Sequence, residues 1–264
     1  MSASSHRKIG ESSVRLATQR KPSDPSTEDM RRILEPEVMD TEADAVEYDA
    51  MDFREANQRF ADDAVALLRG IEDAQVLDIG TGTAQIPIMM LKRDAKKTMR
   101  ILACDMAQEM LRVAARNVAN AGFADRCQLA RLDAKSLRVP AQKYDLVICN
   151  STIHHIPDPF VVFREIARVL KPQGGVLVRD LFRPETMADA WATVNRVAAG
   201  EHPRQKQLFF DSLCAALSLD EVRSYVERAG LDRMKVEVCS DRHWTAERPA
   251  RNPVSRRSVS DAKG

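Results

Sequence analysis

Short apolar runs alternate with longer amphipathic segments through the middle of the chain. Five runs rich in β-forming residues predict strands, and they read QVLDIG, RILACD, CQLARLD, YDLVICN and GVLVRDL. The spacing of apolar residues between these runs predicts helices from about Ala84, from Gln108 to Ala121 and from Pro159 to Leu170. Several of the runs are apolar at consecutive positions, as expected where helices cover both faces of a sheet. The alternation predicts an α/β fold with a doubly wound, mostly parallel sheet.

The last third of the chain departs from this alternation. A polar stretch from Arg183 to Gln207 comes first, and we assign no element to it. The segment FFDSLCAALSLDEVRSYVERAG follows, in which Ser218 or Asp220 is expected to cap a final helix that Gly230 terminates. The segments MKVEVCS and DRHWTAE then predict a closing pair of strands.

Composition along the chain predicts its domain organisation. Residues 1–28 and 248–264 are polar and rich in Pro, Ser or Arg, so we expect both to be disordered tails. Residues 29–72 are acidic with apolar residues at helical spacing, which predicts a helical N-terminal cap. Residues 73–247 then form the main domain.

Overall charge and cysteine usage favour a small-molecule partner. The 264 residues include 40 basic and 39 acidic side chains, which leave no global field to draw the protein to nucleic acid. No apolar stretch approaches the ~20 residues that a membrane span requires. Five widely spaced cysteines without a C-x-x-C pair predict reduced thiols in the cytoplasm. No cluster shows the spacing of metal ligands, so no metal is expected, and the oligomeric state stays open.

A glycine turn follows the first predicted strand, in the segment VLDIGTGTA. Gly80 and Gly82 let the backbone turn sharply and approach a ligand without an intervening Cβ. Asp105 ends the next apolar run, where a carboxylate can accept hydrogen bonds from both hydroxyls of an adenosine ribose. Asp133 ends the third run. Asp78 precedes the glycines, where its charge would repel a pyrophosphate and stabilise a cation. These residues predict a cofactor that contains a nucleoside.

Together the motifs resemble those of the class I S-adenosylmethionine-dependent methyltransferases, from about Gln75 to Glu247. The matching segments, in the family's order and spacing, are VLDIGTGTA, ACDMAQEML, LDAKSL, YDLVICNSTIHHIPDP and VFREIARVLKPQGGVLVRDL. The resemblance implies S-adenosylmethionine as cofactor and a Rossmann-like, seven-stranded sheet whose last strand pair includes one antiparallel member. One departure is Ala84, because the family usually has a third glycine at that position.

The resemblance also implies a set of cofactor-binding residues at the carboxyl ends of the strands. They are Asp78, Gly80, Thr81, Gly82, Asp105, Met106, Asp133, Ala134 and Asn150. The residues of the glycine turn would hold the methionyl portion and Asp105 the ribose. Met106 would cover one adenine face, and Asp133 with Ala134 would meet the adenine edge.

The residues that follow the fourth strand are candidates for the reaction itself. His154 and His155 are the candidate catalytic residues, because a near-neutral imidazole can deprotonate or orient the nucleophile. Alternatively, the pair only caps the loop and bonds its backbone. Asp180 and Arg183 follow the fifth strand into the same region, where Arg183 either meets an acidic substrate or forms an internal ion pair.

The predicted function is methyl transfer from S-adenosylmethionine to an O, N or C atom of a small metabolite, with release of S-adenosylhomocysteine. A nicotinamide-dependent oxidoreductase is disfavoured, because Gln85 stands where that fingerprint has Gly or Ala. A cofactor-binding regulatory or scaffold protein without turnover stays open as an alternative. In the acidic cap, Tyr48, Met51 and Phe53 either close over the pocket as a lid or pack in the core.

Overall fold

The computed structural model describes residues 30–35 and 40–251. Its strands form one seven-stranded sheet in the order β3-β2-β1-β4-β5-β7-β6. The strands are β1 (Gln75–Ile79), β2 (Arg100–Asp105), β3 (Cys127–Arg131), β4 (Tyr144–Asn150), β5 (Leu170–Leu181), β6 (Lys235–Val238) and β7 (His243–Arg248). The helices are α1 (Glu42–Ala50), α2 (Arg54–Leu67), α3 (Gln85–Arg93), α4 (Gln108–Asn120), α5 (Pro159–Val169), α6 (Met187–Val197), α7 (Pro203–Ala215) and α8 (Leu219–Arg228).

Strand pairing places a crevice at the carboxyl ends of the central strands. The pairs among β1 to β5 are parallel, whereas β7 runs antiparallel to both β5 and β6. This confirms the predicted mostly parallel sheet with one antiparallel member in the last pair. Ile79 is paired with Cys104 on one side and with Cys149 on the other, so β1, β2 and β4 end together. The strand order reverses between β1 and β4, which is where open α/β sheets bind ligands.

Helices cover both faces of the sheet, as the consecutive apolar positions predicted. On one face, Phe163 and Ile166 of α5 are fully buried against Leu77 of β1. On the other face, Phe60 of α2 and Met90 of α3 are buried in a second cluster. Burial of each such side chain contributes about 1.5–3 kcal/mol to the free energy of unfolding. The helices packed on both faces therefore stabilise the register of the central strands.

Two helices occupy the polar stretch from Arg183 to Gln207, to which the sequence pattern assigned no element. Thr186 caps α6 by accepting a hydrogen bond from the Asp189 N–H at 3.1 Å. Ala190 and Val194 lie one turn apart and are fully buried, and this narrow apolar stripe packs α6 against the rest of the protein. The same stretch includes the start of α7 at Pro203, with His202 as its N-cap. Apolar packing of this stretch, which includes the Trp191 ring stacked on Phe210, therefore holds two helices in a segment of polar overall composition.

The fifth strand begins earlier than its apolar run. Tyr144 is paired with Leu170, and the register then shifts before Leu146 pairs with Gly175. Helix α5 therefore ends at Val169, and β5 continues directly from it through KPQGG. The pairing of Leu170 with the adjacent strand ends the helix at this point.

The helical cap predicted over residues 29–72 contains α1 and α2. Helix α1 packs Ala45 against Met110 of α4, whereas α2 packs against the sheet. The predicted tails fall mostly on residues 1–29 and 252–264, which lie outside the described residues. At the start of the predicted C-terminal tail, Arg248 completes β7 and the Ala250 N–H donates to the Leu67 carbonyl at 2.9 Å. Within the described ranges, no helix is both long and apolar enough to cross a membrane.

Candidate functional site

The glycine turn between β1 and α3 is held against the end of β2. The N–H groups of Gly80 and Thr81 both donate to the carbonyl of Cys104, at 2.8 and 2.9 Å. Gly80 and Gly82 have φ values of 71° and 55°, which glycine adopts at little cost. Ala84 also has a positive φ, of 61°, and is fully buried at the N-cap of α3. The departure from the family pattern at Ala84 therefore keeps the left-handed conformation that a glycine would favour.

Asp105 ties the glycine turn to the start of α4. Its Oδ2 accepts from the Gly82 N–H at 2.8 Å, and its Oδ1 accepts from the Ala107 N–H at 2.9 Å. Burial raises the pKa of this carboxyl in spite of these backbone hydrogen bonds. A carboxylate has about four acceptor positions, so ribose hydroxyls can still be accommodated.

Asp78 is a buried carboxyl at the floor of the same turn. Its residue is 2% exposed, and its Oδ2 atom has no hydrogen-bond partner among the described residues. Burial raises the pKa of Asp78 to about 7, and the nearby Asp105 charge adds to the rise. A cation placed beside this group would relieve both effects, as the sequence analysis anticipated.

The remaining predicted cofactor residues lie around the carboxyl ends of the strands. Met106 directly follows β2 and is 41% exposed. Asp133 lies two residues beyond β3, and its Oδ1 accepts from the Lys135 N–H at 2.8 Å; Ala134 follows it, half-buried. Asn150 is the last residue of β4, and its carbonyl accepts from the Thr152 hydroxyl at 3.1 Å. The hydroxyl of Thr81 is buried close to Asp78, whose pKa it lowers against the effect of burial.

Helix α1 covers the glycine turn through a polar network centred on Asp49. The Asp49 carboxylate accepts from the side chains of Gln85 and Asn117, at 3.2 and 3.0 Å. Beside it, the Tyr48 ring lies 3.4 Å from the position that a Cβ on Gly82 would take. Burial, then the charges of Asp105 and Asp78, raise the pKa of Tyr48 to about 12. Of the predicted lid residues, Tyr48 therefore lies over the turn, and Phe53 packs on it with ring centroids 5.4 Å apart.

His154 and Asp180 form a buried pair beside the turn. The Nδ1 atom of His154 lies 2.5 Å from Asp180 Oδ1, and the His154 N–H donates to Asp180 Oδ2 at 3.2 Å. Burial disfavours the imidazolium, but the carboxylate outweighs burial and raises the pKa of His154. Burial raises the pKa of Asp180, but the positive charge of His154 and its hydrogen bond outweigh burial and lower that pKa below its usual value. The pair therefore orients the imidazole and stabilises a proton on it.

The short segment before the helical cap covers this histidine loop. Arg32 donates to the carbonyls of His154 and Ile156, at 3.0 and 2.8 Å. Glu35 Oε1 lies 3.5 Å from His154 Nε2 and 3.1 Å from His155 Nδ1. Sequence reasoning missed both Arg32 and Glu35, because they lie in a polar stretch far from the histidines and belong to no motif.

Arg183 forms an internal ion pair, which is the second of the two roles that its sequence position suggested. Its guanidinium forms two hydrogen bonds to the Glu221 carboxylate, at 3.0 and 3.2 Å, and a third to the Ala216 carbonyl. These three bonds use three of the five guanidinium donors and pair the Arg183 charge with a carboxylate of the chain itself. Arg183 thus fastens α8 to the end of β5.

Residues 72–234 match the family model described as a methyltransferase domain. The match covers more than half of the chain. The chain belongs to this methyltransferase family. The resemblance that the sequence motifs predicted is therefore confirmed. The matched range begins before β1 and ends after α8, and it includes the glycine turn, Asp105 and the histidine loop.

Individual relatives of this methyltransferase domain agree with the assignment. The methyltransferase GfsG of Streptomyces halstedii is 28% identical over 190 residues, which cover 71% of this chain and 63% of that protein. The 27-O-demethylrifamycin SV methyltransferase of Amycolatopsis mediterranei is 27% identical over 187 residues, covering 70% of this chain and 64% of its own length. The matched part of the chain thus spans less than two thirds of either relative.

The fold of the domain is also found among solved structures. A SAM-dependent methyltransferase from Aquifex aeolicus superposes with a TM-score of 0.57 at 18% identity, covering 79% of this chain and 98% of that one. At this identity the comparison shows a shared fold. It confirms the Rossmann-like architecture that the sequence resemblance implied.

Proposed function

We propose that this protein transfers the methyl group of S-adenosylmethionine to a hydroxyl oxygen of a small molecule and releases S-adenosylhomocysteine. The observation that carries the proposal is the contact between Gly80 of the cofactor turn and Thr152 of the histidine loop. Because of this contact the glycine turn lies beside the loop that carries His154, which supports a single site for donor and acceptor. Donor and acceptor would meet there.

The cofactor end of the crevice suits a positively charged nucleoside. The unpartnered Oδ2 of Asp78 supports binding of the ammonium and sulfonium end, where a buried carboxylate lacks a compensating charge. Asp105 supports ribose binding from the end of β2. Asp133 and Ala134 would meet the adenine edge, with Met106 against its face. Thr81 and Asn150 would line the space between these groups and the acceptor.

The acceptor end suits a nucleophile that loses a proton. Transfer to a hydroxyl oxygen forms an O–CH₃ bond, breaks the S–CH₃ bond and releases one proton. The His154–Asp180 pair favours a bound proton, so it can take up the one that the acceptor loses. Alignment of the oxygen behind the methyl group supplies the larger part of the rate, since positioning is worth about 7–11 kcal/mol. His155, whose side chain is 24% exposed, would orient the acceptor.

The alternative functions have less support. A protein that only binds the cofactor would not need a buried histidine–carboxylate pair at the acceptor end. A nicotinamide cofactor fits poorly, because the Gln85 side chain bonds Asp49 and Asn57 where the dinucleotide fingerprint needs a small residue. The relatives carry names of methyltransferases that act on small molecules, which favours turnover of such a substrate.

Calorimetric titration with S-adenosylmethionine, S-adenosylhomocysteine and NAD tests the cofactor end. We expect the first two to bind and NAD to give no signal. Asp105→Asn should weaken both by about 1.5–3 kcal/mol, or about ten- to a hundredfold, because it removes charge-assisted hydrogen bonds to the ribose. Asp73→Asn, an exposed residue before β1, is the matched control and should bind as the wild type does. Preferential binding of NAD, or equal affinities for Asp105→Asn and the control, would contradict the proposal.

A further inference from the structure

We propose that Glu35, His154 and His155 bind a divalent transition-metal ion, which holds and activates the acceptor oxygen. The role of the ion rests on the methyl transfer proposed above, whereas the binding of the ion does not. One ligand atom of each side chain lies within 4.8 Å of the other two. No sequence motif joins these three residues, and the fold alone brings Glu35 to the histidine pair.

The distances within the group match a metal ion between the ligands. Glu35 Oε1 lies 3.5 Å from His154 Nε2 and 3.1 Å from His155 Nδ1. A zinc ion with bonds of about 2.0–2.1 Å separates neighbouring tetrahedral ligands by roughly 3.3–3.5 Å. The two histidine nitrogens lie within 4.8 Å of each other, so side-chain adjustments would bring all three atoms to bonding distance.

Two of the three ligand atoms are buried and face each other. Glu35 Oε1 and His155 Nδ1 lie 3.1 Å apart, and in the described part of the chain neither atom forms a hydrogen bond to a group outside the cluster. The Glu35 side chain is only 8% exposed. Buried polar atoms are costly unless a proton or a cation satisfies them, and a metal ion bound between these two atoms would satisfy both.

Asp180 orients the third ligand, His154, through the ring nitrogen that would not bind the ion. Asp180 Oδ1 lies 2.5 Å from His154 Nδ1, so that nitrogen carries the hydrogen and the lone pair of Nε2 points toward Glu35. Metal-bound histidines are held in this way, by a carboxylate on the ring nitrogen that does not bind the metal. Ser212 similarly donates to the second Glu35 oxygen at 3.1 Å.

Charge balance also favours a divalent ion. The carboxylates of Glu35 and Asp180 flank two imidazoles inside the protein, where each unpaired charge is expensive. Arg32 lies nearby, but its hydrogen bonds go to backbone carbonyls. An ion of charge +2 would neutralise both carboxylates while both imidazoles stay neutral.

The ligand set selects the class of metal and leaves room for a substrate. Two imidazoles and one carboxylate suit zinc, cobalt, nickel or iron better than magnesium or calcium, which prefer oxygen ligands. Three protein ligands leave at least one coordination position open, as in catalytic sites. An acceptor hydroxyl bound there would release its proton more readily to bulk water, because a His154 that binds the ion through Nε2 no longer takes it up. The resulting oxygen would form the O–CH₃ bond as the S–CH₃ bond breaks.

Cobalt binding tests the site without any activity assay. The full-length, tag-free protein is treated with a chelator, dialysed and titrated with Co²⁺, and the visible d–d absorption and calorimetric heat are recorded. We expect one ion per chain with the intense absorption of a low-coordinate site. Glu35→Gln should weaken binding about ten- to a hundredfold, as should His155→Ala. His202→Asn, which keeps an N-cap residue outside the group, is the control and should bind as the wild type does.

The outcomes separate this inference from the proposed function. Absence of a d–d signal, or equal cobalt affinity in Glu35→Gln and the wild type, would overturn the metal site. A parallel titration of each variant with S-adenosylmethionine shows whether the cofactor end is intact, because no member of the metal group belongs to it. A variant that loses cobalt but binds the cofactor normally supports the metal site and shows that the cofactor end does not depend on it.

Discussion

Gly80 packs so closely on Thr152 that a Cβ added to the glycine would lie 2.8 Å from the Thr152 Cβ and closer still to its hydroxyl and methyl groups. This contact joins the cofactor turn to the histidine loop. Gly82, two residues further on, meets only the Tyr48 ring, at an ordinary 3.4 Å. Both glycines have positive φ, so the same substitution at the two positions differs mainly in the clash.

Gly80→Ala should therefore lower the free energy of unfolding more than Gly82→Ala does. Each variant loses about 1–2 kcal/mol of stability through left-handed strain. Gly80→Ala loses a further ~1–3 kcal/mol through overpacking, and its S-adenosylmethionine affinity should fall at least about tenfold. Urea unfolding and calorimetry measure the two effects. Thr152→Gly in the Gly80→Ala background should recover part of the loss, whereas equal stability of the two alanine variants would show that the contact is unimportant.

Asp78 predicts that cofactor affinity depends on pH. Its pKa is raised to about 7, and the proposed partner is a cation that requires the ionised form. Below pH 7 the group must release a proton on binding, so the S-adenosylmethionine affinity should fall by up to about tenfold per pH unit between pH 7 and 6, and level off above about pH 8. Calorimetry in buffers of different ionisation enthalpy measures the released proton. An affinity independent of pH would remove Asp78 from the cofactor site.

The raised pKa of Asp78 also predicts that the stability of the protein without cofactor decreases as the pH rises. The carboxyl pKa is 3.8 in a model compound and about 7 in the fold, so the folded state keeps a proton that the unfolded chain has lost. The contribution of Asp78 to stability is therefore full below about pH 4 and declines as the pH rises to about 7. Asp78→Asn should abolish this component in urea unfolding series, and an unchanged pH profile in that variant would assign the trend to other groups.

Asp180→Asn should reduce turnover and spare cofactor binding. The amide cannot stabilise a positive charge on His154, and it can present an N–H to Nδ1, which would reverse the imidazole tautomer. We expect kcat to fall at least about a hundredfold, while the Kd for S-adenosylmethionine stays within about twofold. Asp158→Asn, at the start of α5, is a control that should retain the wild-type rate. A wild-type rate in Asp180→Asn would assign the histidine pair to the loop structure alone.

Much of the architecture was predictable because it depends on local patterns. The five parallel strands and the helices between them have apolar periodicities that survive in the fold, and the cofactor turn carries its own glycines. Helix α6 was not predictable in this way, since it rests on two buried positions within a polar segment. The position of Glu35 in the site could not be predicted from the sequence for a different reason. Its position opposite His154 depends on tertiary structure that brings distant parts of the chain together.

The cap of the final helix separates two possibilities that the sequence left open. Ser218 is the N-cap: its hydroxyl accepts from the Glu221 N–H at 3.2 Å, and the Glu221 carboxylate accepts from the Ser218 N–H at 2.8 Å. Asp220 instead pairs with exposed Arg223. Ser218→Ala should therefore cost about 1 kcal/mol of unfolding free energy, whereas Asp220→Ala should cost less than about 0.5 kcal/mol. Denaturant unfolding of both variants measures the difference. Because Glu221 also accepts from Arg183, a loss well above 1 kcal/mol in Ser218→Ala would mean that the cap also positions the Arg183–Glu221 pair at the end of β5.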